Sequence, residues 1–129
     1  MKTILAASAT LIALSLPALA EGDAEKGEKD FKKCKACHMI ASDSDTIVKG
    51  GKTGPNLYGV IGRTIGSAED FKYSDGLAAK GEEGLVWDEA ELAAFITDPS
   101  GYLGSRSKMT FKLRKGAEDV AAYLAKVAE

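Results

Sequence analysis

Cys34-Lys35-Ala36-Cys37-His38 is the stretch on which the reading of this chain turns. On a helical turn, Cys34 and Cys37 stand three apart and His38 stands four from Cys34, so the three side chains share one face. C-x-x-C-H is the attachment signature of a c-type haem. Two sulfurs can bond the vinyl groups along one side of a porphyrin while the imidazole rises to the iron. His38 is the only histidine of the 129 residues, and Cys34 and Cys37 are the only cysteines. Nothing else can supply a proximal imidazole, and no thiol is spare.

Other chemistries use the same cysteine spacing. A redox dithiol sits in a βαβ context, and no strand-like run precedes Cys34. Structural zinc takes four ligands, and a second Cys or His pair is absent. A plain disulfide in an exported protein is compatible with the even cysteine count. The adjoining histidine favours haem.

The start of the chain reads as a secretory signal. Lys2 makes a basic beginning, Ile4 to Leu16 a short apolar run, and Ala18-Leu19-Ala20 a small-residue cleavage site. The run is too short for a membrane anchor, and no later stretch approaches the ~20 apolar residues of a membrane span. Residues 1–20 are therefore expected to be cleaved. Removing 20 of 129 residues leaves Glu21–Glu129, 109 residues, as one monohaem domain exported to a bacterial periplasm or equivalent lumen. A chain so short buries a limited core. With 14 glycines and few aromatics, the haem is expected to supply much of the interior, and the apo-protein to be largely unfolded.

Loss of Lys2 takes the charge balance from 17 basic against 19 acidic residues to 16 against 19, a net −3. The distribution is uneven. Residues 32–52 hold five lysines against Asp43 and Asp45, and residues 106–115 hold Arg106, Lys108, Lys112, Arg114 and Lys115 with no acid. Residues 82–98 hold six acids and no base. That asymmetry implies a molecular dipole and excludes a nucleic-acid binder, whose whole domain should be basic.

Three helices are expected. Asp23 caps the first, with Ala24, Gly27, Phe31 and Cys34 on one face. Asp88 starts the second, with Glu91 three residues on and Leu92, Phe95 and Ile96 inward, and Asp98-Pro99 stops it. The third follows Gly116, carries Glu118 and Asp119 in its first turn, and lines Val120, Ala121, Leu124 and Val127 along one stripe. Strand alternation is absent. The fold class is all-α with long loops, 46–72 and 99–115 being the longest.

Haem iron in an electron carrier normally takes two protein ligands, and His/Met pairing raises the potential. With no second histidine, the candidates are Met, Lys, Tyr or an open site. Met1 leaves with the signal, and Met39 is too close to His38 to reach the other face of the same ring. Met109 remains, in the loop after the second helix. A loop methionine is more often a gap-filler, but elimination selects Met109, with Lys108 and Lys112 as substitutes.

Across essentially the whole mature chain the sequence resembles a class I cytochrome c, of the bacterial periplasmic cytochrome c2 type related to mitochondrial cytochrome c. Gly27 and Phe31 resemble the family's N-terminal helix contact, and Val120 and Tyr123 its C-terminal partner. Thr53-Gly54-Pro55-Asn56-Leu57 resembles the loop whose proline carbonyl, here Pro55, accepts a hydrogen bond from the haem histidine. Gly62-Arg63 resembles the site whose arginine holds a propionate, and Tyr73 and Trp87 match further propionate partners. Ser107-Lys108-Met109-Thr110-Phe111 resembles the ligand-bearing stretch, with Met109 as ligand and Phe111 beside the exposed haem edge. Buried propionates need donors of these types in any case.

The sequence departs from the pattern at three places. Phe95 stands where the family often has a tyrosine that contacts the methionine sulfur. Residues 42–46 lengthen the loop between His38 and Pro55, and a few extra residues precede Trp87. The resemblance implies crossing N- and C-terminal helices and one covalent haem c. It also implies a monomeric one-electron carrier that is not an enzyme and serves respiratory or photosynthetic electron transport. The donor would be a bc1-type complex, and the acceptor a terminal oxidase or photosynthetic reaction centre. Lys33, Lys35, Lys52, Lys108 and Lys112 would form the docking surface at the haem edge. A haem enzyme or gas-binding protein, with Met109 displaced, is the other reading, and no distal histidine or second haem motif supports it.

Overall fold

The computed structural model describes residues 22–129. The expected signal, residues 1–20, lies outside the described residues, as does Glu21. Asp23 opens the fold. Its side chain accepts hydrogen bonds from the N–H groups of Glu25 and Lys26, capping α1, Ala24–Asp30. The chain then tightens into a 3₁₀ turn at Phe31–Lys33. A last turn follows, closed by His38 N–H donating to the Cys34 carbonyl at 3.0 Å. That bond gives the C-x-x-C-H segment its helical pitch.

A two-stranded antiparallel hairpin follows, β1 at Ile40–Ala41 and β2 at Thr46–Val48, with Ile40 facing Val48 and Ala41 facing Thr46. The lengthened loop at 42–46 is the tip of this hairpin and the first residue of β2. Asn56 holds it from outside: its side-chain oxygen accepts from Ala41 N–H at 3.1 Å and its amide donates to Ala41 carbonyl at 2.7 Å. The expected loop at 46–72 thus begins in a strand.

An unforeseen helix, α2, Asp75–Glu82, is capped by Ser74. Next come α3, Glu89–Thr97, capped by Asp88, and α4, Pro99–Leu103. Asp98 ends α3 and also caps α4, accepting from Gly101 N–H at 3.2 Å, with Pro99 at the first helical position. The stretch expected to be loop at 99–115 therefore starts with a helical turn. The last helix is α5, Ala117–Val127, after Gly116.

α1 and α5 cross closely. A Cβ on Gly27 would fall onto the Asp119 carbonyl and lie 2.8 Å from Tyr123 Cβ, so only glycine fits between the backbones. Phe31 and Tyr123 rings meet beside it at 5.8 Å. The buried core runs from this crossing through Val120, Ala121 and Leu124 to Leu92, Phe95 and Ile96 of α3. Trp87, Phe95 and Tyr102 extend it as an aromatic cluster, with ring centroids 5.3 to 5.9 Å apart. No helix among the described residues is long and apolar enough to cross a membrane.

Candidate functional site

Loops on either side of α2 and after α4, with residues of α2 and α3 between them, enclose a cavity of about 210 Å³. The first wall is the C-x-x-C-H turn and the loop folded under it. Gly51 N–H donates to Lys35 carbonyl at 2.9 Å, and Gly54 N–H to Cys37 carbonyl at 2.8 Å. These bonds bring Pro55 to His38, whose Nδ1 lies 2.8 Å from the Pro55 carbonyl oxygen. A carbonyl can only accept, so the His38 proton sits on Nδ1 and Nε2 carries the lone pair. Gly54 lies against the ring, and a Cβ there would be 2.7 Å from Nδ1.

Cys34 and Cys37 both line the cavity as free thiols, Cys34 half-buried and Cys37 exposed. Burial pushes the Cys34 thiol up to about 11, and the Asp30 carboxylate adds to the shift while Lys33 opposes it. Burial also holds His38 below its ordinary value, against the bond to Pro55. That direction favours the neutral imidazole, the state in which Nε2 can bind a metal.

The other wall comes from residues 57–77 and from the segment after α4. Met109 lines the cavity and is partly buried, and Phe111 lines it with 43% of its surface exposed. Ser107, buried beside them, accepts the Met109 N–H on its hydroxyl at 3.1 Å. Arg63, Tyr73 and Trp87 stand around the same space. Arg63 donates from one terminal nitrogen to the Asn56 carbonyl at 3.1 Å. Its Nε is the only buried side-chain N or O atom among the described residues with no hydrogen-bond partner. Tyr73 accepts from Ala68 N–H at 3.2 Å and meets Phe71 edge-on at 4.9 Å.

All nine residues singled out from the sequence, from Cys34 to Phe111, line this one cavity, Pro55 included. Phe95 lines it too, without a hydroxyl to offer. The lysines divide. Lys33 and Lys108 reach the cavity, while Lys35, Lys52 and Lys112 do not line it. Lys112 pairs with Asp98 at 3.3 Å, so the acidic and basic stretches touch at this point. Sequence reasoning passed over Gly54 and Ser107. Gly54 stands inside the Thr53–Leu57 motif and Ser107 opens the Ser107–Phe111 stretch, each without a role there. Ser107's part rests on hydrogen bonds with Ser100 and Met109 that sequence does not show.

Paired thiols, a neutral imidazole with its lone pair free, a thioether and an unsatisfied buried guanidinium nitrogen form a donor set that fits a covalently held haem with an anionic edge. Comparison with known proteins agrees. No family model matches the chain. It is 56% identical to cytochrome c-551 of Roseobacter denitrificans over 119 residues, covering 86% of this chain and 85% of that one. It is 53% identical to cytochrome c-550 of Paracoccus versutus over 136 residues, covering 97% and 88%. The solved cytochrome c2 of Rhodobacter capsulatus superposes with a TM-score of 0.82 at 51% identity, over 84% of this chain and all of that one.

The chain belongs to the class I c-type cytochromes. Its fold is theirs, its cofactor is one covalent haem c, and it is an electron-transfer protein rather than an enzyme.

Proposed function

We propose that this cytochrome is a soluble periplasmic one-electron carrier. In this reading Cys34 and Cys37 would hold the haem through two thioethers, and His38 and Met109 would ligate its iron. The observation that carries the reading is the convergence of both thiols, His38, Met109 and the unpartnered Arg63 Nε on one cavity. Bound there, the haem supplies an Fe(II)/Fe(III) couple.

The chain's own groups set the terms of that couple. Pro55 fixes the His38 tautomer and raises the basicity of the ring. A thioether from Met109 favours the reduced state and a positive potential. Held by both His38 and Met109, the iron would offer oxygen or peroxide no open site. Arg63, Tyr73 and Trp87 are the donors for the propionates. Phe111, beside the cavity and partly exposed, would stand at the haem edge that meets a redox partner.

The neighbours named cytochrome c2 support a shuttle between membrane redox complexes. The donor would be a bc1-type complex, and the acceptor a terminal oxidase or a photosynthetic reaction centre. Lys33 and Lys108 at the cavity, with Lys35, Lys52 and Lys112 on the same basic stretches, would steer a monomeric carrier to acidic docking surfaces. The signal-like residues 1–20 support export.

Acid-acetone extraction followed by intact mass tests the attachment. One haem should stay on a chain starting near Glu21, and a haem that extracts freely would overturn it. A low-spin visible spectrum with a far-red sulfur–iron band is expected. A high-spin spectrum would instead favour a ligand-binding protein.

A further inference from the structure

Met109 lies in a stretch that holds itself in place poorly. Among the described residues, no backbone–backbone hydrogen bond anchors positions 105–112, and the ladder resumes only where Leu113 N–H donates to the Ile96 carbonyl at 3.0 Å. Side chains do the work instead, and Lys108 Nζ donates to the Lys72 carbonyl at 3.0 Å. The Ser107 N–H donates to the Ser100 hydroxyl at 3.0 Å, and the Ser107 hydroxyl accepts the Met109 N–H at 3.1 Å. Ser107 is only 5% exposed, so water is poorly placed to replace a lost partner.

Ser100 is well seated for this part. It is the second residue of α4, whose start is held by Asp98. Asp98 in turn reaches Lys112 beyond the methionine. The relay Ser100–Ser107–Met109 thus ties the backbone of Met109 to a capped helical turn that does not itself line the cavity.

We propose that Ser100 is a positioning residue for iron ligation, its hydroxyl setting through Ser107 where Met109 presents its thioether. The proposal rests on the reading of Met109 as the second axial ligand. A tether that is lost lets the segment populate placements with the sulfur withdrawn. A competing ligand for the vacated position then binds more tightly in proportion to that population.

The test is imidazole titration of the ferric holoprotein, followed by loss of the sulfur–iron band. Ser100→Ala, which removes the acceptor, should bind imidazole about tenfold more tightly than the parent, the equivalent of ~1.4 kcal/mol. That lies within the range for a buried donor left unpaired. Ser100→Thr keeps an acceptor and should bind imidazole as the parent does. A merely structural role would lower the unfolding midpoint without moving imidazole affinity. Equal affinity in Ser100→Ala and the parent would therefore overturn the proposal. Should that variant fail to fold, amide exchange in the parent holoprotein decides. The Ser107 and Met109 amides should exchange more slowly than those of Arg106 and Thr110, and equal rates would overturn it. Met109→Ala separates the two ideas. If it loses the band while Ser100→Ala matches the parent, only the Ser100 role fails; if it keeps the band, the ligand assignment fails and the Ser100 role with it.

Discussion

His38 donates through Nδ1 to the carbonyl oxygen of Pro55 at 2.8 Å, a bond that joins the C-x-x-C-H turn to the loop seventeen residues on. Because the acceptor is backbone, no substitution at Pro55 removes it cleanly. The residue before it can. A Cβ at Gly54 would lie 2.7 Å from Nδ1 and closer still to Cε1. Gly54→Ala should therefore force the imidazole off its bond or push the loop away. The cost should be about 1–3 kcal/mol of holoprotein stability for the overpacking. Guanidinium unfolding measures it, and an unchanged midpoint would show that the loop yields freely.

Replacing Met109 with Ala should abolish the sulfur–iron band and lower the potential, because the ligand that favours Fe(II) is gone. The fold should survive on His38 and the two thioethers. Spectroelectrochemistry of the variant checks both points, and an unaltered spectrum would make Lys108 the next ligand to test.

The Arg63 Nε points to a second measurable effect. A buried donor without a partner costs about 1–3 kcal/mol, a cost that a propionate oxygen would relieve. Arg63→Met keeps much of the volume and removes the cation. Its potential should fall by tens of millivolts, since a nearby positive charge opposes Fe(III). A potential equal to the parent's would place the guanidinium outside the iron's field.

Much of this molecule is readable from local signals, and what is not has identifiable causes. Asp23, Asp88 and Asp98-Pro99 announce helix ends because capping is chemistry between near neighbours. The C-x-x-C-H spacing announces the cavity for the same reason. The helix Asp75–Glu82 was missed because it buries no residue fully, so no apolar stripe marks it in DGLAAKGE. The hairpin was missed because strands of two and three residues show no alternation and owe their order to Asn56, fifteen residues from Ala41. Asp98-Pro99 was read as a stop alone, although an N-cap residue followed by proline is also a start.

Tyr102 predicts a response to alkali. Its hydroxyl donates to Glu91, Lys80 lies over its ring at 4.7 Å, and it packs on Phe95 and Trp87. Burial, and after it the Glu91 carboxylate, holds the phenol above its ordinary value. A folded-state value above the unfolded one means the contribution is fully present below about pH 10, the ordinary tyrosine range. It is lost as pH rises through the higher folded value. Tyr102→Phe should therefore lose less stability between neutral and strongly alkaline pH than the parent, and Tyr102 should be among the last tyrosines to ionise in an ultraviolet titration. Ionisation of Tyr102 at about pH 10, the ordinary tyrosine range, would show that the Glu91 contact does not persist in solution.

The charge pattern separates two pictures of partner encounter. A carrier of net charge −3 should be repelled by an acidic partner if charge acts as a sum. If local charge decides, Lys108 and Lys33 at the cavity dominate, because at ~0.1 M salt the Debye length is about 10 Å. Lys33 counts for less than Lys108, since Asp30 lies 3.9 Å from it. Lys112 should matter less than its position in the sequence suggests, since Asp98 already offsets it. Reversing Lys108 or Lys33 to Glu should slow association with an acidic redox partner and flatten its salt dependence. Reversal of Glu82 or Glu83 to Lys, at the end of α2, should change little. Stopped-flow rates across a salt series measure all four. Equal effects from the two sets would mean that the protein meets its partners through net charge, and that the lysines at the cavity are not the docking surface.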